Sequence, residues 1–343
     1  MTGSNAASAK RDKPVVAVLL GDPSGIGPEL VVKLLARADN VKRVQVALVA
    51  DPNVLALGEK AAGVALDVQR APAIDALAFN TGRPTLVAFD WIAPRDIEIG
   101  KATVASGRTV LASLSVAADA VRAGAIDGIV FAPFNKHAMR IAGLQHEDEM
   151  RLLQHTLGVS EFVTEFNITG DLWTSRVTSH IPLAAVAAAI SREGVRNAVH
   201  IIDSNLRASG VARPRIAVAG LNPHAGDGGS FGREEIDIIE PAVRSLAAEG
   251  LDARGPFPAD TVFVAARRGD FDAVVTMYHD QGQIAMKLMG FDRGVTLLGG
   301  LPVPVATCAS GSAFDIAGKG VANVEGLQQA FDLVVRMSSA QLH

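Results

Sequence analysis

Phe271-Asp272-Ala273-Val274-Val275-Thr276-Met277-Tyr278-His279-Asp280-Gln281-Gly282 carries an apolar run into a His-Asp pair. Residues 271–275 read as a buried strand, Gly282 as the stop of regular structure, and 284–289 as the start of a helix. A strand followed by a helix is α/β layering, and such folds gather their chemistry at the carboxyl edge of the sheet. Two more histidines share the setting. His180 closes residues 173–179 ahead of Ile181-Pro182, and His224 lies in Asn222-Pro223-His224-Ala225-Gly226, after the strand-like 215–221. Three neutral imidazoles on convergent loops suit a zinc-type site that keeps one position for water or substrate. Each ring taken singly reads more readily as the cap of its own turn; the shared setting is what favours a site.

Working outward, strand-like and helix-like runs alternate from Pro14 onward, which predicts an α/β fold with mostly parallel strands. Strands are expected at 15–20, 44–50, 128–132, 162–169, 172–178, 295–298 and 303–306. The pair 162–169 and 172–178 turns at Gly170-Asp171. Helices are expected from Pro28 to about residue 38, and at 105–123, 150–157, 191–206, 233–248 (kinked at Pro241) and 324–338. Residues 60–81 give mixed signals.

The chain has 343 residues, enough for two domains, and a net charge of −4. With 5% aromatic residues and no basic cluster, it offers neither the charge nor the stacking surface for nucleic acid. Cys308 is the only cysteine, so no intrachain disulfide forms, and a reducing, cytoplasmic location is expected. No apolar run approaches the roughly 18 residues of a membrane span. Residues 1–13 read as a disordered leader.

Several motifs have competing readings. The glycine loop at 21–29 lacks both the dinucleotide fingerprint and the Gly-Lys-Ser/Thr of a P-loop, but it exposes backbone N–H groups at a helix start. Gly228-Gly229-Ser230-Phe231-Gly232 matches a nucleophile elbow, which keeps a Ser230 hydrolase as a distant alternative; its loop is too long for the sharp turn. Asp260 reads either as a helix cap or as a carboxylate steering a metal shell. Cys308 reads as a small buried side chain.

Taken together, Gly21-Asp22-Pro23-Ser24-Gly25-Ile26-Gly27-Pro28-Glu29, Leu221-Asn222-Pro223-His224-Ala225-Gly226, Pro258-Ala259-Asp260-Thr261 and Tyr278-His279-Asp280-Gln281-Gly282 resemble the 4-hydroxythreonine-4-phosphate dehydrogenase family. The loop from Gly311 also resembles the cofactor loop of isocitrate and isopropylmalate dehydrogenases. The resemblance implies a two-domain fold of that type with a cleft between the domains. A cofactor-side domain would span 14–140 plus 305–343, and a metal, substrate and dimerisation domain 141–304. It further implies a homodimer whose subunits share each active site, with His180, His224 and His279 holding a divalent metal such as zinc. NAD or NADP would lie on Gly311, Ser312, Ala313, Asp315 and Asn323. Asp280, then Asp260, are the expected bases, and Lys287 and Lys136 the expected cations. Lys287, Thr296, Glu147 and Asp148 would meet a small hydroxy-acid substrate.

Departures from the family pattern direct the choice of substrate. Glu147 and Asp148 stand where the family has His-Thr, Thr296 replaces an asparagine, Val305 replaces an arginine, and Ser310 stands where relatives have histidine. Losing an arginine removes a bidentate anion fork. The expectation is therefore oxidation and decarboxylation of an unphosphorylated diol acid, terephthalate 1,2-cis-dihydrodiol, to protocatechuate in aromatic catabolism. A 4-phosphohydroxythreonine or 4-phosphothreonate dehydrogenase is the alternative.

Overall fold

The computed structural model describes residues 11–74 and 82–342. Among these, twelve strands form one sheet: β1 (Val15–Leu19), β2 (Gln45–Ala50), β3 (Gln69–Ala71), β4 (Thr85–Ala88), β5 (Gly128–Phe131), β6 (Thr164–Thr169), β7 (Leu172–Arg176), β8 (Arg215–Ala219), β9 (Asp252–Phe257), β10 (Ala273–Thr276), β11 (Val295–Gly299) and β12 (Val305–Cys308). Their spatial order is β3-β4-β2-β1-β5-β12-β11-β6-β7-β10-β8-β9. The fold is α/β with a large mixed sheet. Strands from 15–131, with β12, make one half, and strands from 164–299 make the other.

Residue pattern explains each strand's place. β1 is Val-Val-Ala-Val-Leu with all five side chains buried, because parallel neighbours β2 and β5 flank it and helices cover both faces. β6 alternates buried and half-buried residues, as suits its antiparallel pairing with β11 and β7. The β6–β7 hairpin turns at Gly170-Asp171, with Thr169 opposite Leu172 and Gly170 at φ +59°.

Helix Val104–Arg122 starts with a capping box between Thr103 and Ser106. Its 19 residues meet the length and composition test for a membrane span. Val110, Leu114, Ala117 and Ala118 are nonetheless buried, so one face lies in the core.

Four expectations need correction. Gly282 does not interrupt the chain: helix His279–Gly290 begins at the histidine itself. A Cβ on Gly282 would lie 3.2 Å from Thr276 Oγ1, so glycine serves close packing there. Pro241 does not kink a continuous helix; a π-helical turn, Glu235–Ile239, precedes it, and Pro241 sits in the first turn of Glu240–Ala248, where no N–H is needed. The strand expected at 303–306 begins only after Pro304, which cannot donate to the ladder. The uncertain stretch 60–81 contains β3, and its residues 75–81 lie outside the described residues. So do residues 1–10 of the expected leader; Arg11 donates to Ala125 O at 2.9 Å and pairs with Asp127 at 3.0 Å.

Candidate active site

β7 and β10 are parallel neighbours with Arg176 opposite Thr276, so the residues that follow leave the sheet at one edge. The pairing persists past the strands: Val177 N donates to Thr276 O at 2.9 Å, and Thr178 gives both its N–H and its hydroxyl to Met277 O. This brings His180 and His279 together, with ring centroids 5.6 Å apart. His180 Nδ1 lies 3.1 Å from Glu147 Oε1, and His279 Nδ1 lies 2.6 Å from Asp280 Oδ1. A carboxylate on Nδ1 fixes the tautomer that leaves Nε2 free to ligate. Both rings open into a cavity of about 280 Å³ bounded by Leu183 and Tyr278.

His224 is placed differently. Residues 224–228 all have positive φ, including His224, Ala225 and Asp227, where a side chain makes that conformation costly. Buried Glu235 holds the approach to this loop: it accepts from Leu221 N and Asn222 N at 2.7 Å each and from Asn222 Nδ2 at 3.0 Å. His224 is exposed and rests against Phe231, apart from the other two rings. Among the described residues of one chain, no three His, Cys, Asp or Glu side chains gather around a possible metal position.

Beside the pair runs a polar network that sequence reading missed. Arg176, 6% exposed, donates to Glu165 at 2.8 Å, Asn167 at 3.0 Å and Ser179 at 2.9 Å. Asn167 also bonds Gln283, and with Gln283, Lys287 and Thr296 it lines a cavity of about 80 Å³. Gln281 accepts from Met277 N and donates to Gly220 O, tying the His279 turn to the end of β8.

Lys136 Nζ is 3.9 Å from both Asp148 Oδ2 and Glu149 Oε2. Burial pushes the Glu149 carboxyl up, with Lys136 opposing. Asp148 caps helix Glu149–Thr156 through Arg151 N, while Glu147 holds His180. Asp260 is exposed in the first turn of helix Ala259–Arg267; the cap position there is Pro258, so Asp260 is no cap. Ser230 ends a short turn as an exposed residue, and among the described residues no imidazole is bonded to its hydroxyl.

The loop after β12 packs on the loop after β1. Ile26 N donates to Ser312 O at 3.0 Å, and Glu29 accepts from Gly320 N and Ala322 N. A Cβ on Gly25 would lie 2.8 Å from Ser312 O, so glycine is required for this approach. Ser312 is buried beside Asp22, whose carboxyl is pushed up by burial against the opposing Ser24 N–H and Ser312 hydroxyl. Gly311, Asp315 and Asn323 lie on the exposed side, and Asn323 accepts from Glu325 N.

The profile of the family described as pyridoxal phosphate biosynthetic protein PdxA matches residues 42–334. The chain belongs to the PdxA family. A Pseudomonas aeruginosa protein, provisionally named 4-hydroxythreonine-4-phosphate dehydrogenase 2, is 49% identical over 94% of this chain and 97% of its own length. The 4-hydroxythreonine-4-phosphate dehydrogenase of Beijerinckia indica is 39% identical over 95% of each chain. D-threonate 4-phosphate dehydrogenase of Cupriavidus necator is 36% identical over 94% of this chain and 98% of its own. The crystal structure of the Klebsiella pneumoniae 4-hydroxythreonine-4-phosphate dehydrogenase superposes with a TM-score of 0.83 at 32% identity, covering 96% of this chain and 100% of that one.

These PdxA relatives overturn the expected terephthalate substrate and, with it, the place in aromatic catabolism. A terephthalate 1,2-cis-dihydrodiol dehydrogenase from Burkholderia xenovorans superposes with a TM-score of only 0.67 at 31% identity, over 94% of this chain and 98% of that one. The unphosphorylated substrate is expected from the valine that stands at 305 in place of an arginine. That side chain is wholly buried in a core strand, between Ile129 of β5 and Leu298 of β11. At such a position residue type reports packing, and its lack of charge does not report the substrate.

Proposed function

We propose that the chain is a nicotinamide-dependent dehydrogenase of a phosphorylated hydroxy acid, 4-hydroxythreonine 4-phosphate or D-threonate 4-phosphate. The observation that carries this is the His180–His279 pair at one sheet edge, each ring held at Nδ1 by a carboxylate, within a chain whose relatives bear those names. The Nε2 atoms of His180 and His279 would hold a divalent metal, zinc by ligand type, together with His224 from a second copy of the chain. The exposed, outward His224 loop supports such a homodimer with shared sites. When bound, the metal supplies Lewis acidity toward the substrate's alcohol oxygen, and NAD or NADP accepts the hydride.

The protein's own groups do the rest. Asp280 would take the alcohol proton through the oxygen not engaged by His279, with Asp260 second in line. Lys287 and Thr296, beside Asn167 and Gln283, would bind the anionic end of the substrate. Once the alcohol is a ketone, the neighbouring carboxylate leaves as CO2, and Lys136 or Lys287 would return a proton to the carbon that keeps the electron pair. The loop carrying Gly311, Ser312, Ala313, Asp315 and Asn323 would bind the dinucleotide. Packing of Ser312 on the first glycine loop supports a preformed cofactor side over 14–140 and 305–343, with 141–304 as the metal and substrate side of an isopropylmalate dehydrogenase-type cleft. The single cysteine supports a cytoplasmic location.

The test is nicotinamide reduction followed spectrophotometrically on both phosphorylated acids and their unphosphorylated forms, with and without chelator. Turnover confined to the phosphorylated substrates and lost with chelator is expected. Equal turnover without the phosphate would refute the substrate class.

A further inference from the structure

A cavity of about 860 Å³ lies at the opposite edge of the sheet from the histidines, walled by Trp173, Phe271 and Met289. Arg267, Arg293 and Arg336 line it, each exposed. Among the described residues, none of the three has an acid within ion-pair distance. Two of the acids there are already engaged: Asp272 pairs with Arg215 at 2.7 Å, and Asp332 pairs with Arg43. Only Asp171 remains unpaired, so free guanidinium groups outnumber free carboxylates three to one. In a chain of net charge −4, that is a local reversal of sign.

The geometry points to a second binding site here, for an organic phosphate, back to back with the histidine site. Three guanidinium forks suit a dianion with three oxygens, and the aromatic wall suits an apolar body. The volume is that of an ordinary small-molecule site. The same elements reach both places. β7 leads from Trp173 at the cavity toward His180, and β10 leads from Asp272 toward His279. Helix His279–Gly290 starts at the histidine site and ends with Met289 and Gly290 in the cavity wall. This inference rests on the cavity alone and not on the reading of the catalysed reaction.

Calorimetric titration of the full-length protein with 1-naphthyl phosphate, 1-naphthol and inorganic phosphate tests it. Saturable binding of the naphthyl phosphate is expected, with naphthol weaker by about tenfold or more for want of the charge-assisted contacts. Arg293→Gln and Arg336→Gln should each weaken it by about tenfold, and Arg267→Gln combined with both should abolish it. Nicotinamide-dependent turnover should stay within about twofold in all of these variants, since they lie across the sheet from the histidines. Binding should also survive His180→Ala. The inference is overturned by no saturable binding, by binding unchanged in the triple variant, or by naphthol binding as tightly. Loss of binding in His180→Ala, or loss of turnover in the triple variant, would overturn it as well, by assigning the probe to the histidine site.

Discussion

His180 and His279 are held by side chains, whereas His224 is held by its backbone. The first two leave paired strands, and each ring is fixed by one carboxylate, Glu147 or Asp280. His224 stands in a left-handed run that costs about 1–2 kcal/mol for each of its three non-glycine residues. Glu235 offsets this with three charge-assisted hydrogen bonds, worth about 1.5–3 kcal/mol each. The difference teaches that a ring serving its own chain can be aimed locally. A ring presented outward needs a rigid loop whose support lies eleven positions further along the sequence.

The largest expected effect tests whether the two kinds of histidine form one site. His279→Ala and His224→Ala should each lower turnover by on the order of a thousandfold, about 4 kcal/mol of barrier. Mixing the two inactive proteins under exchange should then restore roughly a quarter of full activity, because half the dimers are mixed and each has one whole site. Mixtures that stay inactive would confine the site to one chain. Glu235→Ala comes next. It should lower stability by about 3–5 kcal/mol, read as a denaturant midpoint, because it removes three charge-assisted bonds and orphans half-buried N–H groups, and turnover should fall with it. A loop that keeps both would show that Glu235 is not its support.

Glu147→Gln sharpens the other side of the contrast. Metal affinity, measured by titration, should fall about 10–100-fold with the thermal midpoint unchanged. Unaltered affinity would mean that the carboxylate does not orient His180. The smallest effect is Ala225→Gly, which relieves a strained φ and should raise stability by up to about 1 kcal/mol, less what glycine adds to unfolded-chain entropy. A clear loss of stability would place the strain elsewhere.

Much of this was legible in the sequence. All-buried runs such as 15–19 and the alternation in 164–169 announce parallel and antiparallel strands through their periodicity. The three histidines stand out in the sequence by their place at strand ends, and the structure brings two of them, His180 and His279, together. What escaped depended on contacts remote in sequence. Nothing in the run around Arg176 announces that Glu165 and Asn167 will bury it, and Gln281 gains meaning only when Gly220 lies beside it. The substrate reading failed for a related reason. As a letter Val305 reads as a lost charge, whereas its burial removes it from contact with any ligand. Gly282 reads as a breaker because helix propensity disfavours glycine, yet tight packing on Thr276 outweighs that preference.

β12 lies between β5 and β11, at the seam of the sheet, although it is the last strand in the chain. During synthesis, therefore, the five strands of one half and the six of the other can assemble while the join itself still awaits residues 305–308. A ribosome paused just short of that point would carry two unfinished edges, each ready to pair with another nascent chain. The order of translation thus makes the final strand a keystone, and the vulnerable interval closes only when it emerges.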